Sequence, residues 1–238
     1  MYNWKIILLT AVAAAFIITG CETLDREFAK LTGGAQSGLD TKTIVSGLKE
    51  ALSTGTGNAV AQTSKQGGYW QNPRLKIPLP QDLQGFADKL RKIGLGQQVD
   101  SLELKMNEGA EAAAKSAGPV FVKAITDMSF SDAKAILSGG DTAATDFFKS
   151  KTSAQLKAQY SPIIKSALDQ VGVVKLYDEL YQKYSLIPLA PKISANLEDY
   201  VTDKALDGLF LVIADEEKKI RQDPAARTTE LLRKVFGN

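Results

Sequence analysis

The sequence predicts an all-α protein, a single globular multi-helix bundle of about seven to nine helices with two proline-rich extended linkers. Three observations carry that expectation. Apolar residues recur at helical spacing through most of the chain after Asp40. Glycines, prolines and capping residues punctuate that pattern at intervals suited to helices joined by short connections, so sequential helices should pack as neighbours. No alternating strand pattern stands outside the two proline-rich stretches, and no fixed-period repeat of a solenoid kind is present.

The organisation that follows is 1–20 as a signal peptide, 21–40 as a lipidated tether and 41–238 as an all-helical domain. Within 41–238, Asp40 caps a helix opening "TKTIVSGLKEAL", with Ile44, Leu48 and Leu52 on one face. Its continuation "STGTGNAVAQTSKQ" is Gly-rich and a poorer helix former. "GGYWQNPRLKIPLP" breaks the helix, because prolines and the residues before them favour extended geometry. Leu75, Ile77 and Leu79 are expected to alternate inward there.

Leu83, Phe86, Leu90 and Ile93 mark an amphipathic helix stopped by Gly94. Val99, Leu102, Met106, Ala110 and Ala113 mark the next, which becomes Ala-rich in "NEGAEAAAKSAG" and so permits close helix–helix approach. Pro119 suits the first turn of a helix carrying Phe121, Ile125 and Met128. Ser129 with Asp132 has the spacing of a capping box, and Gly139 closes that helix. Asp141 is expected to cap "TAATDFFKSK", and Ser153 a further helix that Pro162 should kink or split. Leu176, Leu180 and Tyr184 mark another, and "SLIPLAP" is the second extended linker. A long helix then spans about Leu197 to Gln222, and Asp223-Pro224 opens a final helix ended by Gly237.

The amino terminus reads as a targeting segment. Lys5 is followed by "IILLTAVAAAFII", an uncharged run that is too short to cross a hydrocarbon core about 30 Å thick. It has the length of a secretory h-region. "ITGC" resembles the lipobox of bacterial lipoproteins, in which the signal is cut before the cysteine and the thiol is acylated; the reading places the lipid on Cys21, the only cysteine. Glu22 follows where an Asp tends to retain such proteins in the inner membrane. The expected location is therefore the cell envelope, lipid-anchored on the outer membrane and facing the periplasm. Leu24, Phe28 and Leu31 allow a short amphipathic turn, and "TGGAQSG" is a flexible joint to the domain.

Composition removes several function classes. With 29 basic against 27 acidic residues the chain lacks the basic excess of a nucleic-acid binder. No histidine is present, which removes Ser-His-Asp and Cys-His catalysis and His-containing zinc sites. "GTGNAV" lacks the Gly-Lys-Ser/Thr ending of a phosphate loop, and "DTAATD" lacks the ligand pattern of a calcium loop. No catalytic residue, metal site or cofactor is assigned.

Carboxylates remain. Asp199, Asp203 and Asp207 line one flank of the long helix and read as a solvated face. Glu216 falls in the middle of that helix's apolar face, and is the candidate buried acid. It is a general acid in a cleft, a buried ion pair with Arg221 or Arg227, or a sign that the helix has left the core by residue 216. Tyr69, Trp70, Asn72 and Arg74 cluster in a candidate binding loop, able to stack on sugars or clasp a partner. The alternative is that Tyr69 and Trp70 plug the end of the bundle.

"NPRLKIPLP", "MNEGAEAAA", "FVKAITDMSFSDAKAILSGGDTAAT" and "YVTDKALDGLFLVIADEEKKIRQDPAARTTELLRKVFG" together resemble a bacterial family of exported lipoproteins carrying an uncharacterised all-helical domain. The resemblance covers about residues 42–237. It implies one helical domain and export, and brings no activity, substrate or site residue. The function expected is a non-enzymatic binding or scaffold module of the envelope, attached to the membrane through Cys21, with an envelope protein or an apolar ligand as partner. The alternative is a carboxylate-dependent hydrolase acting on cell-wall glycan.

Overall fold

The computed structural model describes residues 41–170, 172–186, 196–227 and 229–236. The signal segment, Cys21, the tether with Leu24, Phe28 and Leu31, most of "SLIPLAP" and the expected stop at Gly237 lie outside the described residues. Among those described there are nine α-helices and no strand: α1 Thr41–Ser64, α2 Gln84–Lys92, α3 Gly96–Ala114, α4 Ala117–Thr126, α5 Phe130–Ser138, α6 Ala143–Gln170, α7 Val173–Ser185, α8 Leu197–Gln222 and α9 Glu230–Phe236. No described helix is long and apolar enough to cross a membrane.

The hub is α8. It packs against α6, α1 and α3, and the turn Leu209–Ile213 is buried on nearly every side, with only Leu211 partly open. Around it α4 and α6 contribute an edge-on aromatic cluster, Phe121 lying 5.3 Å from Phe148 and 6.3 Å from Phe210 between ring centroids. At the other end Phe86 meets Tyr184 at 5.1 Å. Edge-to-face pairs of this kind add about 1 kcal/mol each beyond the area they bury. Ala110, Ala113 and Ala114 are all fully buried, so α3 comes close to its neighbours as its composition predicts.

Several expectations on local structure hold in detail. Ser129 Oγ accepts from the Asp132 N–H at 3.1 Å while Asp132 Oδ2 accepts from the Ser129 N–H at 3.0 Å, a complete capping box on α5. Gly94 takes φ +84° and ends α2. Leu75, Ile77 and Leu79 are buried while Lys76 and Pro78 are exposed, so the segment after α1 does alternate.

Others are corrected. Ile93 is 53 % exposed, because α2 ends at Lys92 and the chain turns away before its side chain can reach the core. α6 is one helix of 28 residues; Ser153 lies inside it and caps nothing, and Pro162 does not split it. Pro162 and Ala158 are both exposed, so the carbonyl deprived of its helical partner faces water, where the loss is tolerated. The Gly-rich half of α1 is continuous helix, carried by burial of Gly55, Thr56, Ala59 and Thr63. Asp223 caps only a single turn, Pro224–Ala226, and α9 starts at Glu230. Arg227 breaks the run by folding its guanidinium back onto the Ile220 and Arg221 carbonyls, at 3.1 and 2.9 Å, which closes the carboxyl end of α8.

Candidate functional site

Three polar residues spaced four apart on α3 hold the segment between α1 and α2. Glu111 accepts from the backbone N–H groups of Gly67, Tyr69 and Trp70 at 3.1, 3.0 and 3.3 Å. Asn107 pairs with both backbone groups of Ile77, accepting its N–H at 2.8 Å and donating to its carbonyl at 2.9 Å. Glu103 accepts from the Leu79 N–H at 3.4 Å. Helical side chains thus take the place of a neighbouring strand and satisfy a non-helical backbone that would otherwise be buried unpaired. Sequence reading marked the apolar positions of this helix, Val99 to Ala113, and its Ala-rich end, and passed over its polar residues. The signal available was polar residues at 103, 107 and 111 on the face that also carries Met106 and Ala110.

That segment, the strap, positions the candidate loop. Tyr69 is fully buried and its hydroxyl donates to the Ala205 carbonyl of α8 at 2.6 Å. Its ring lies against Gly208, where an added Cβ would sit 2.8 Å from Cε1. Burial, followed by the nearby Tyr160 and Glu111, holds the Tyr69 phenol well above its ordinary pKa. Trp70 is half-buried with the Lys76 ammonium 3.9 Å from its ring centroid. Asn72 Oδ1 accepts from the Arg74 N–H at 3.0 Å and shapes the turn. Tyr69 therefore plugs the fold, and of the four residues Arg74 reaches outward. It grips Asp215 of α8 through two bonds, 2.7 and 3.2 Å.

Glu216 is buried in the apolar face as its phase requires, and α8 stays in the core to Ile220. Its partners are not Arg221 or Arg227. Oε2 accepts from Asn58 Nδ2 of α1 at 2.8 Å, and Oε1 from the Lys219 ammonium. Arg221 instead serves Glu217, a buried acid that sequence reading passed over. Glu217 accepts from the Ala144 and Thr145 N–H groups and the Thr145 hydroxyl, all at 2.8 Å. It thereby caps the start of α6, the place expected of Asp141, whose Oδ2 accepts from Gln222 Nε2 at 3.0 Å. Arg221 adds bonds to Glu217 Oε1 at 3.0 and 2.9 Å and to the Ile136 carbonyl at 2.9 Å, joining α5, α6 and α8.

Between the end of α1, the strap and the end of α8 lies an open cleft of about 550 Å³, lined by Gln62, Arg74, Asp215, Lys218, Lys219, Gln222 and Asp223. It brings Arg74 of the candidate loop beside Lys219, the partner of Glu216. Every residue lining it carries a polar or charged group. A groove of about 270 Å³ between α4, α5 and α6 has Val120, Met128 and Phe147 beneath and the charged residues Lys123, Asp127, Asp132 and Lys151 around it. The apolar hollow between Leu48, Leu52, Phe148 and Ile213 amounts to about 30 Å³, far below what an apolar ligand of ordinary size requires. Asp203 pairs with Lys157 and Asp207 with Lys204 on the surface, and Asp199 accepts from Asn196 Nδ2 at 2.6 Å. Among the described residues no group of three or more acidic or cysteine side chains is arranged to hold a metal ion.

Fold and site together define an all-α globule whose buried acids tie elements to one another. The chain belongs to the DUF4197 family of proteins of unknown function, whose model matches residues 38–237. A search of curated proteins finds no match, and neither does a search of solved structures.

Proposed function

We propose that the protein is a non-enzymatic binding or scaffold module of the cell envelope, anchored by lipid on Cys21 to the outer membrane with its helical domain facing the periplasm. The observation that carries the non-enzymatic part is the commitment of the buried acids. Glu111 is surrounded by three backbone donors, Glu216 by Asn58 and Lys219, and Glu217 by Ala144, Thr145 and Arg221. A glycan hydrolase needs an acid free to give its proton to a leaving oxygen. These acids have their oxygens engaged in holding the fold.

The anchoring part is supported by the sequence "ITGC" behind a short uncharged run. Each buried CH₂ of an acyl chain contributes about 0.8 kcal/mol, so one chain holds only marginally while two or three hold lastingly. Growth with an alkyne-bearing fatty acid tests this directly. The wild-type chain should take up label and float with outer membranes, whereas Cys21→Ala should do neither. Labelling that survives Cys21→Ala would sink the anchor. Release of soluble fragments from peptidoglycan by the purified chain, lost in Glu216→Gln, would replace the scaffold with the hydrolase.

A further inference from the structure

We infer that the protein binds one internal water molecule where α6, α8 and the strap meet, held by the hydroxyls of Tyr160, Thr202 and Tyr69. The site is independent of the envelope reading. Tyr160 and Thr202 are both fully buried, and neither Tyr160 Oη nor Thr202 Oγ1 has a hydrogen-bond partner among the described residues. Contacts on either side bring the two together. Ser161 Oγ donates to Glu198 Oε1 at 2.6 Å and Lys157 pairs with Asp203 at 2.5 Å, so α6 and α8 run antiparallel here. Thr202 stands one turn after Glu198 and about one turn before Ala205, whose carbonyl accepts from the Tyr69 hydroxyl at 2.6 Å. Thr202 is therefore flanked by the chain neighbour of Tyr160 on one side and by Tyr69 on the other.

Long helical side chains lean toward the amino end of their helix. In this antiparallel pair that lean carries the Tyr160 hydroxyl along α8 from the level of Glu198 toward that of Ala205. Tyr69 senses it there: burial first, and then the nearby Tyr160, raise the Tyr69 phenol. Yet Tyr160 bonds directly to neither Tyr69 nor Thr202. Hydroxyls close enough to sense each other, and not bonded, are what a bridging molecule joins. The donor set fits water. Tyr69 has given its proton to Ala205 and can only accept, whereas Tyr160 and Thr202 can each donate and accept. One water donates to Tyr69 and Thr202 and accepts from Tyr160, which makes up the about three bonds usual for a buried water. Leaving two hydroxyls bare costs more than immobilising one water. An ion has nothing to hold it, since all three groups are neutral and the nearby Glu111 is taken by three backbone donors.

The test counts long-lived waters by magnetic relaxation dispersion of isotope-labelled water oxygen around the full chain in detergent. Tyr160→Phe combined with Thr202→Val keeps both shapes and removes the two unpaired hydroxyls. Its dispersion amplitude should fall below that of the wild type by the share of one water molecule. Thr63→Val removes an equally buried hydroxyl that already donates to the Ala59 carbonyl at 2.8 Å, and should leave the amplitude unchanged. The double variant should melt near the wild type, because the water leaves with the hydroxyls it served and its regained freedom offsets the lost bonds. An unchanged amplitude in the double variant, or an equal fall in Thr63→Val, overturns the inference. A crystal structure of the wild-type chain, at a resolution that shows ordered water, gives a second reading that needs no variant. One solvent peak within hydrogen-bond distance of both Tyr160 Oη and Thr202 Oγ1 supports the site; protein atoms alone around both oxygens overturn it.

Discussion

Glu217 and Thr145 meet twice: one carboxylate oxygen, Oε2, accepts from both the backbone N–H and the hydroxyl of Thr145, each at 2.8 Å. A residue near the end of one helix therefore caps the start of another that begins 74 positions earlier, at Ala143. The first turn of a helix leaves N–H groups unpaired and carries partial positive charge, so a carboxylate there is favoured twice over. Replacing Glu217 by Ala leaves those donors buried without a partner and the Arg221 guanidinium with only the Ile136 carbonyl. A loss of about 3–5 kcal/mol is expected, read from denaturant unfolding, with Glu217→Gln intermediate.

Two buried tyrosines should respond in opposite ways to loss of the hydroxyl. Tyr69→Phe removes the bond to the Ala205 carbonyl and should cost about 1 kcal/mol. The Tyr160 hydroxyl is buried with no protein partner, so Tyr160→Phe should be neutral or stabilising at neutral pH. Burial pushes both phenols above their ordinary pKa. A raised folded pKa means that stability is held below the unfolded value of about 10 and is lost as pH climbs past it. Tyr160→Phe should therefore flatten the alkaline fall in stability, measured by unfolding from pH 8 to 11.

The strap can be tested through Asn107. Its amide serves Ile77 on both sides and also donates to the Glu103 carbonyl at 2.7 Å. Asn107→Ala should cost about 2–3 kcal/mol, since it strands a buried N–H and a buried carbonyl. Amide hydrogen exchange should quicken first at Ile77 and Leu79, before the helices are affected. Uniform loss of protection would show that the strap has no independent hold.

Glycines on two helices should answer an added methyl with opposite signs. Gly57 is exposed in α1 and a Cβ there meets nothing within 4 Å. Gly57→Ala should stabilise by about 0.5–1 kcal/mol through helix propensity and a stiffer unfolded chain. Gly208→Ala places its Cβ 2.8 Å from the buried ring of Tyr69 and should destabilise by about 1–3 kcal/mol, or force that ring outward. Melting temperatures of the two variants decide the matter.

Acid should loosen α5 at its amino end. Hydrogen bonds from the Ser129 side chain and backbone hold the Asp132 carboxyl below its ordinary pKa, helped by the nearby Lys151. A depressed folded pKa gives stability that is present above the unfolded value of about 4 and disappears as pH falls through the folded one. Carbon-detected titration of Asp132 should give a midpoint below that of an ordinary aspartate, and Ser129→Ala should return it towards the ordinary value.

The helices were legible because local periodicity decides them: Leu197 to Gln222 is read from the apolar phase alone, and the Ser129–Asp132 box from four consecutive residues. The alternation of Leu75, Ile77 and Leu79 was legible for the same reason. What was hidden lies in partners distant along the chain. Nothing near Glu217 in sequence points to Ala144, and nothing near Glu111 points to the N–H groups of residues 67–70. Phase correctly buried Glu216, yet its partner followed from which side chains α1 and α8 bring together, and that favoured Asn58 and Lys219 over two arginines. The continuity of α6 through Pro162 depends on that turn facing water, a tertiary property. In the cleft, Arg74 was a legible candidate, and Asp223 was legible only as a cap.

The short α9 lies along α1, Val235 clustering with Ile44 and Leu232 with Ala51 and Ile220. A seven-residue helix thereby shields apolar side chains on a helix far from it in sequence. Detaching α9 would bare that side of α1, so damage to either helix is felt by both.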